Sequence, residues 1–414
     1  MLSFFYIPLH FNLWTLYLQY MPRIKLMRHG ILFGNLLFSF ATAITLFTNS
    51  SFIEKSVGMT WTAIMYAVSS AIGIIILSNS KGILRKYGNR MFFLFYGTLY
   101  ALSLGVLSLP FSDTTKIVAL LIYLFSTNII IFSLNIFFAH LADKEGRGNL
   151  RGIFLLLGNV GTMLGPLIAT NFIDFAGFSG MYMAALIIFT ILTIVISSTF
   201  ITYIDPKYLP QKTHFAIHHT LKEKTLRNVV AANFILQFFY AWMVIYTPIY
   251  LTQYLGFSWD SVGIIFTVML TTFVILDYPL GKLADWLRSE KELCAIGFFI
   301  MTVSVFALAF FSTPSVLTVG IILFLSRVGA ATVEAMTEIH FYKIAQDSDP
   351  GLISLFCDLR PLAYIIAPIL GAIAIIFLPF KTIFIVLGCI LILGFIISFY
   401  MEKSQKLWIP EHEI

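Results

Sequence analysis

Stretches of about twenty apolar residues recur along the whole chain, separated by short polar clusters at charged or Gly/Pro-rich turns. A helix needs ~20 apolar residues to cross the ~30 Å hydrocarbon core of a bilayer. The pattern predicts twelve such helices, near 30–50, 58–78, 91–109, 116–139, 151–173 and 180–202, then 228–251, 260–281, 293–312, 315–340, 352–377 and 382–401. The interruptions are abrupt. DYPLGKLADWLRSEKE at 277–292 holds seven charges in sixteen residues, between TVMLTTFVIL and the nearby GFFIMTVSVF, which hold none.

The opening MLSFFYIPLHFNLWTLYLQY is uncharged and long enough to span, but Pro8, His10, Asn12 and Gln19 dilute it. It has neither the basic start nor the cleavage site of a secretory signal. It is expected to lie at the interface, or to precede a true start at Met21.

Composition places the chain outside the soluble class. Of 414 residues 59% are apolar and only 11% charged, with a mean hydropathy of +0.91. Of the 26 lysines and arginines, 21 fall in the N-terminal flank, the even-numbered loops and the C-terminal tail. Only Lys55, Lys116 and Lys381 occupy the alternate loops. Lysine and arginine accumulate in short cytoplasmic loops, so both termini are expected to be cytoplasmic, in a bacterial inner membrane. The net charge of +6 is spread over those loops, which argues against a nucleic-acid partner. Cys294, Cys357 and Cys389 lack metal or redox spacing and read as small core side chains.

The longest polar stretch, IDPKYLPQKTHFAIHHTLKEKTLR at 204–227, divides the helices six and six. Asn35 and the VGMTW around Gly58 recur as Asn233 and the LGFSW around Gly256, both offset by 198 residues. The division is therefore an N-terminal segment 1–27, a six-helix unit 28–203, a cytoplasmic linker 204–227, a second unit 228–402 and a tail 403–414. Two parallel six-helix halves are a transporter architecture.

The loop after the eighth segment, GKLADWLRSEK, makes the resemblance specific. Gly281, Leu283, Ala284 and Asp285 match the signature Gly-x-Leu-Ala-Asp-Arg-x-Gly-Arg-Lys of the major facilitator superfamily, although Arg288 stands at the second glycine. The chain resembles that family over residues 28–402. In the first copy, SKGILRKYGNR, only Gly88 and the basic Arg90 remain, and Arg85 stands at the aspartate. A second family pattern, associated with exporters, is matched by Gly152, Gly161, Gly165 and Pro166, with Ala169 and Thr170 replacing its last two glycines. Small residues permit close helix approach and proline permits a kink, so packing explains these positions as well.

The resemblance implies an all-α integral membrane protein, a monomer, with twelve helices in two pseudo-symmetric bundles that rock about a mid-membrane site. It implies a cytoplasmic gate in which Gly281, Asp285 and Arg288 pair with neighbouring helix ends, Glu338 and Arg360 among them, with Asp277 at the same level. The alternative for such a loop is a solvated, positive-inside anchor. It further implies a cavity lined by the first, fourth, seventh and tenth helices. Those helices offer Asn35; Asn128 and Asn135; Asn233, Gln237, Tyr240 and Trp242, with Tyr246 adding aromatic surface; and Arg327, which would admit an anion. Each neutral polar residue has an interhelical hydrogen bond as its plainer role.

Charges at mid-membrane cost ~2.5 to 3.5 kcal/mol and require a partner, water or a function. Arg327, Glu334 and Glu338, spaced by seven and four, fall within about 20° of one helical stripe. Asp358 and Arg360, two apart, point about 160° from each other. A static salt-bridge cluster is the plain reading. Glu334, with Asp358 beside it, is the candidate for exchanging a proton as access alternates.

The expected function is proton-coupled efflux of a small organic solute. Uptake of a sugar or organic acid is the alternative, and a non-transporting receptor or scaffold is the reading from another class. No GxxxxGK(S/T), HExxH or GxSxG motif occurs, so neither a nucleotide nor an enzymatic role is expected, and no cofactor is called for. His214, His218 and His219 lie in the polar linker without a cysteine partner and do not read as a metal site.

Overall fold

The computed structural model describes residues 23–141, 147–205, 222–287, 290–310, 315–344 and 350–401. These residues are helical almost throughout, with no strand among them. The elements are α1 (Arg23–Leu46), α2 (Asn49–Val57), α3 (Met59–Ser108), α4 (Asp113–Leu141), α5 (Arg147–Thr199) and α6 (Lys224–Ile249). A π-helical turn, Tyr250–Tyr254, continues α6, followed by α7 (Trp259–Leu287), α8 (Glu290–Phe310), α9 (Val316–Ile344), α10 (Pro350–Phe377) and α11 (Ile383–Phe399).

Eleven segments among the described residues are long and apolar enough to cross a membrane. Two elements contain internal breaks, at Gly88 in α3 (φ 76°, ψ 162°) and at Gly177 in α5 (φ 64°, ψ −168°). The apolar part of α5, Gly152–Thr199, runs for 48 residues. At ~1.5 Å per residue it is about twice as long as the hydrocarbon core is thick.

The surface is apolar and much of the polarity lies inside. Ile75, Phe95, Leu102, Phe310, Leu317 and Phe377 are exposed, while Thr45, Asn49, Ser50, Ser51, Arg327 and Thr337 are buried. This inversion suits a lipid solvent. Outward hydroxyls and amides turn back on their own helix, as Thr98 Oγ1 does to Leu94 O at 2.8 Å and Asn171 Nδ2 to Leu167 O at 2.7 Å. Lipid offers no alternative acceptor.

Helices α1 to α5 pack on one another, as do α6 to α11, and the two groups meet mainly along two seams, α3 with α10 and α5 with α7. The glycines paired by the 198-residue offset share a conformation: Gly58 has φ 80° and Gly256 has φ 68°. Gly58 immediately precedes the helix starting at Met59, and Gly256 lies three residues before the one starting at Trp259.

The glycines of α5 let α1 approach backbone to backbone. A Cβ on Gly161 would lie 2.6 Å from Leu36 O, and one on Gly165 would lie 2.8 Å from Ile44 N. Gly152 has nothing within 4 Å of such a position. On the far side of α5 the relation reverses: Thr170, where the exporter pattern has glycine, is accommodated by Gly263 of α7, whose Cβ would lie 2.8 Å from Thr170 Cγ2.

Candidate functional site

Antiparallel α6 and α9 carry a ladder of polar contacts. Near the end that holds the termini, Asn233 Nδ2 donates to Thr337 Oγ1 at 3.0 Å, both residues buried. One rung deeper, Tyr240 Oη donates to Glu334 Oε2 at 2.7 Å. Deeper still, the Arg327 guanidinium lies 5.1 Å from the centroid of Phe239 and 5.3 Å from that of Tyr240. Tyr240 thus touches both charges, one through its hydroxyl and the other through its ring.

Arg327 is 3% exposed and its Nε has no hydrogen-bond partner. A desolvated cation over an aromatic face gains up to ~2 kcal/mol. Two such faces offset much of the ~2.5 to 3.5 kcal/mol that arginine costs at mid-membrane. The rings sit beside the guanidinium, and its Nε is without an acceptor among the described residues.

Glu334 is half-buried and lies within electrostatic reach of Arg360 on α10 as well as Arg327 on its own helix. Tyr364, also on α10, is close enough to influence Arg327 and, across the α3–α10 seam, Tyr66. Asp358 is half-buried, and Glu338 and Arg360 are exposed.

The first half contributes differently. Asn35 Nδ2 donates to Phe154 O of α5 at 2.7 Å, Asn135 Nδ2 donates to Ile131 O of its own helix at 2.9 Å, and Asn128 lies beside Gly73 of α3. Asn35 thus ties α1 to α5 within the first half. Gln237 is half-buried between Asn233 and Tyr240 on α6. Trp242 is fully buried, packed at a tilt between Phe238 and Tyr246, and Tyr246 Oη donates to Pro368 O at 2.8 Å. That places Trp242 in the packing between α6 and α10.

Gly281, Asp285 and Asp277 lie on α7, where only the backbone is described, and Arg288 lies outside the described residues, as do the N-terminal segment, the three linker histidines and the C-terminal tail. In the first copy of that loop the missing carboxylate is replaced from elsewhere: Asp205 Oδ1 accepts the backbone N–H of Asn89 at 2.7 Å.

Contacts at the two ends of the molecule differ. Away from the termini they cross between halves: Gln253 Nε2 donates to Glu54, Phe47 packs at a tilt on Phe266 at 4.7 Å, and Phe178 meets Trp259 at 5.8 Å. At the other end, the following contacts join residues of one half. Arg28 donates to Leu141 O at 2.8 Å and His140 pairs with Tyr203 at 2.9 Å, while Asn228 and Lys291 donate to Tyr400 O and Phe399 O at 2.7 and 3.0 Å.

Sequence reasoning singled out Arg327, Glu334, Tyr240 and Asn233 but missed Phe239, Thr337 and Tyr364. Tyr364 was findable, being four residues after Arg360 and on the same helical face. Phe239 resembles the other apolar neighbours on α6, and nothing in one sequence marks it.

Among the described residues, eleven segments long and apolar enough to cross a bilayer, in two groups meeting on two seams, define a multi-pass membrane protein. The profile of the Major Facilitator Superfamily matches residues 31–350, and the chain belongs to that family. A comparison with curated proteins found no match.

Proposed function

We propose that the protein is a secondary active transporter that moves a small organic solute by alternating access, coupled to protons. On this reading twelve helices, with Gly177 dividing the two crossings of α5, form halves 28–203 and 228–402 that rock on the α3–α10 and α5–α7 seams. The protein acts as a monomer in an inner membrane with both termini cytoplasmic, the side on which 21 of its 26 basic residues lie. On this reading the end bearing the contacts of Glu54, Phe47 and Phe178 faces outside and is closed. The α7–α8 loop with Asp285 and Arg288, together with Glu338 and Arg360, closes the cytoplasmic side in the opposite state.

The observation that carries the reading is the hydrogen bond from Tyr240 to Glu334 between α6 and α9. A carboxylate held by a hydroxyl at the bundle interior, with arginines on two sides, is placed to take up a proton when open to one side and release it to the other. Asp358 is the neighbouring acid that can relay it. The α5 pattern is associated with exporters, but the approach of α1 by itself requires Gly161 and Gly165.

The test is an imposed pH gradient across proteoliposomes with a pH dye inside, screened with pooled metabolites on wild type and Glu334→Gln. Gradient dissipation by wild type alone supports the coupling. Unchanged flux in the variant refutes it, and ligand binding without flux identifies a receptor.

A further inference from the structure

The ladder between α6 and α9 has one open position. Arg327 stays charged at any physiological pH and presents five N–H donors in one plane. Its Cζ lies 5.1 and 5.3 Å from the ring centroids of Phe239 and Tyr240, its Nε has no hydrogen-bond partner among the described residues, and only 3% of its surface is exposed. Glu334, the nearest acid on its helix, is seven residues or about 10 Å away along the axis and receives the Tyr240 hydroxyl. Among the described residues Arg327 Nε has no acceptor, and a bound solute can supply one.

We propose that the transported solute is an organic carboxylate, bound edge-on by Arg327 between the rings of Phe239 and Tyr240, and that it crosses together with a proton on Glu334. This rests on the transporter reading and gives it a substrate class. A carboxylate matches the planar fork in shape and the single positive charge in magnitude. A phosphate dianion would require a second cation, and Arg360 is engaged electrostatically with Glu334. The aromatic walls, extended by Phe273 at 6.2 Å from Tyr240, suit a body with apolar surface.

The proton follows from charge. Tyr240 from α6, Arg360 from α10 and Arg327 from α9 itself lie within electrostatic reach of Glu334, with Asp358 of α10 and Glu338 of α9 the further acids on the elements beside it; Asp277 of α7 lies among the side chains that are not described. An anion on Arg327 would lie about 10 Å from an ionised Glu334. At an effective dielectric near 20, their repulsion weakens binding about tenfold. By linkage the bound anion strengthens proton binding at Glu334 by the same factor. Solute and proton therefore move in the same direction. Inward solute transport down a proton gradient is the consequence, in place of efflux.

The experiment uses the purified full chain and isothermal titration calorimetry. The probes are acetate, lactate, gluconate and benzoate, set against the corresponding amides and the cations ethylamine and benzylamine. At least one carboxylate should bind while its amide and the amines do not. Its affinity should fall at least tenfold in Arg327→Gln, fall less in Arg327→Lys, and weaken about tenfold from acidic to alkaline pH in wild type but not in Glu334→Gln. If Arg327→Gln does not fold, the wild-type comparison of carboxylate, amide and amine decides alone. Binding of an amine at least as tight as that of its carboxylate, binding unaffected at Arg327, or no binding by any carboxylate overturns the proposal. Flux in proteoliposomes separates the two claims. A carboxylate that binds through Arg327 without crossing leaves the anion site standing and refutes transport; amines that cross leave transport standing and refute the anion site.

Discussion

Asp205, from the end of the first half, accepts the backbone N–H of Asn89 at 2.7 Å and thereby caps the helix that resumes after the Gly88 break. The carboxylate missing from SKGILRKYGNR is supplied from more than a hundred residues away. At Gly88 the positive φ suits only glycine, and an added Cβ would run into Asp205. Asp205→Ala should lower stability by about 0.5 to 2 kcal/mol, the usual loss of a helix cap. Gly88→Ala should cost more, since strain and collision add. Thermal unfolding of the two variants in detergent checks the order.

The α1–α5 interface predicts a graded response. Gly161→Ala and Gly165→Ala each force a methyl group into the α1 backbone, and overpacking of this kind costs about 1 to 3 kcal/mol. Gly152→Ala should be neutral or slightly stabilising, because nothing lies within 4 Å and helix propensity favours alanine. Equal losses at all three positions would show that the pattern acts through something other than approach to α1.

At the α5–α7 seam, Gly263→Thr alone should impair folding or arrest rocking, because its Cβ would lie 2.8 Å from Thr170 Cγ2 and 3.1 Å from Pro166 O. Adding Thr170→Gly should recover most of the loss. A double-mutant cycle on thermal midpoint and flux measures the coupling, and simple additivity would refute the contact.

Tyr240→Phe removes the donor to Glu334 but keeps the ring beneath Arg327. A stability change of about 0.5 to 1.5 kcal/mol is expected, with proton-driven accumulation reduced. Glu334→Gln should abolish accumulation while leaving solute exchange at equal concentrations, because the neutral amide mimics a permanently protonated carrier. Counterflow measured beside gradient-driven uptake distinguishes the two variants.

Glu54 and Gln253 meet across the halves at the end away from the termini. With Cys294, Cys357 and Cys389 replaced by alanine, cysteines at these two positions joined by a short bifunctional reagent should stop turnover. Solute binding from the side of the termini should persist. Continued turnover would mean that this end need not open.

Much of the architecture was legible because a bilayer restricts what a chain can do. Runs of about twenty apolar residues, the placement of basic loops and the offset pairing of Gly58 with Gly256 follow from local chemistry. The stripe of Arg327, Glu334 and Glu338 needed only the helical repeat. What a single sequence could not supply were partners brought together by packing: Tyr240 with Glu334, 94 residues apart, and Asn89 with Asp205, 116 apart. Nor could it separate Trp242, turned into the packing against α10, from Tyr240, two residues earlier and facing α9. The helical period relates positions on one element and says nothing of which neighbour each face meets.

Opposite charges on one stripe of α9 also bear on how the membrane voltage acts. A unit charge carried across the field exchanges about 2.3 kcal/mol per 100 mV. When Glu334 is ionised and the site empty, Arg327 and Glu334 cancel. With a proton on Glu334 and a carboxylate on Arg327, the pair with its cargo cancels again. Only half-loaded carriers, holding the proton without the solute or the solute without the proton, have a net charge there. The field then leaves both productive crossings alone and falls on the slippage that would waste the gradient.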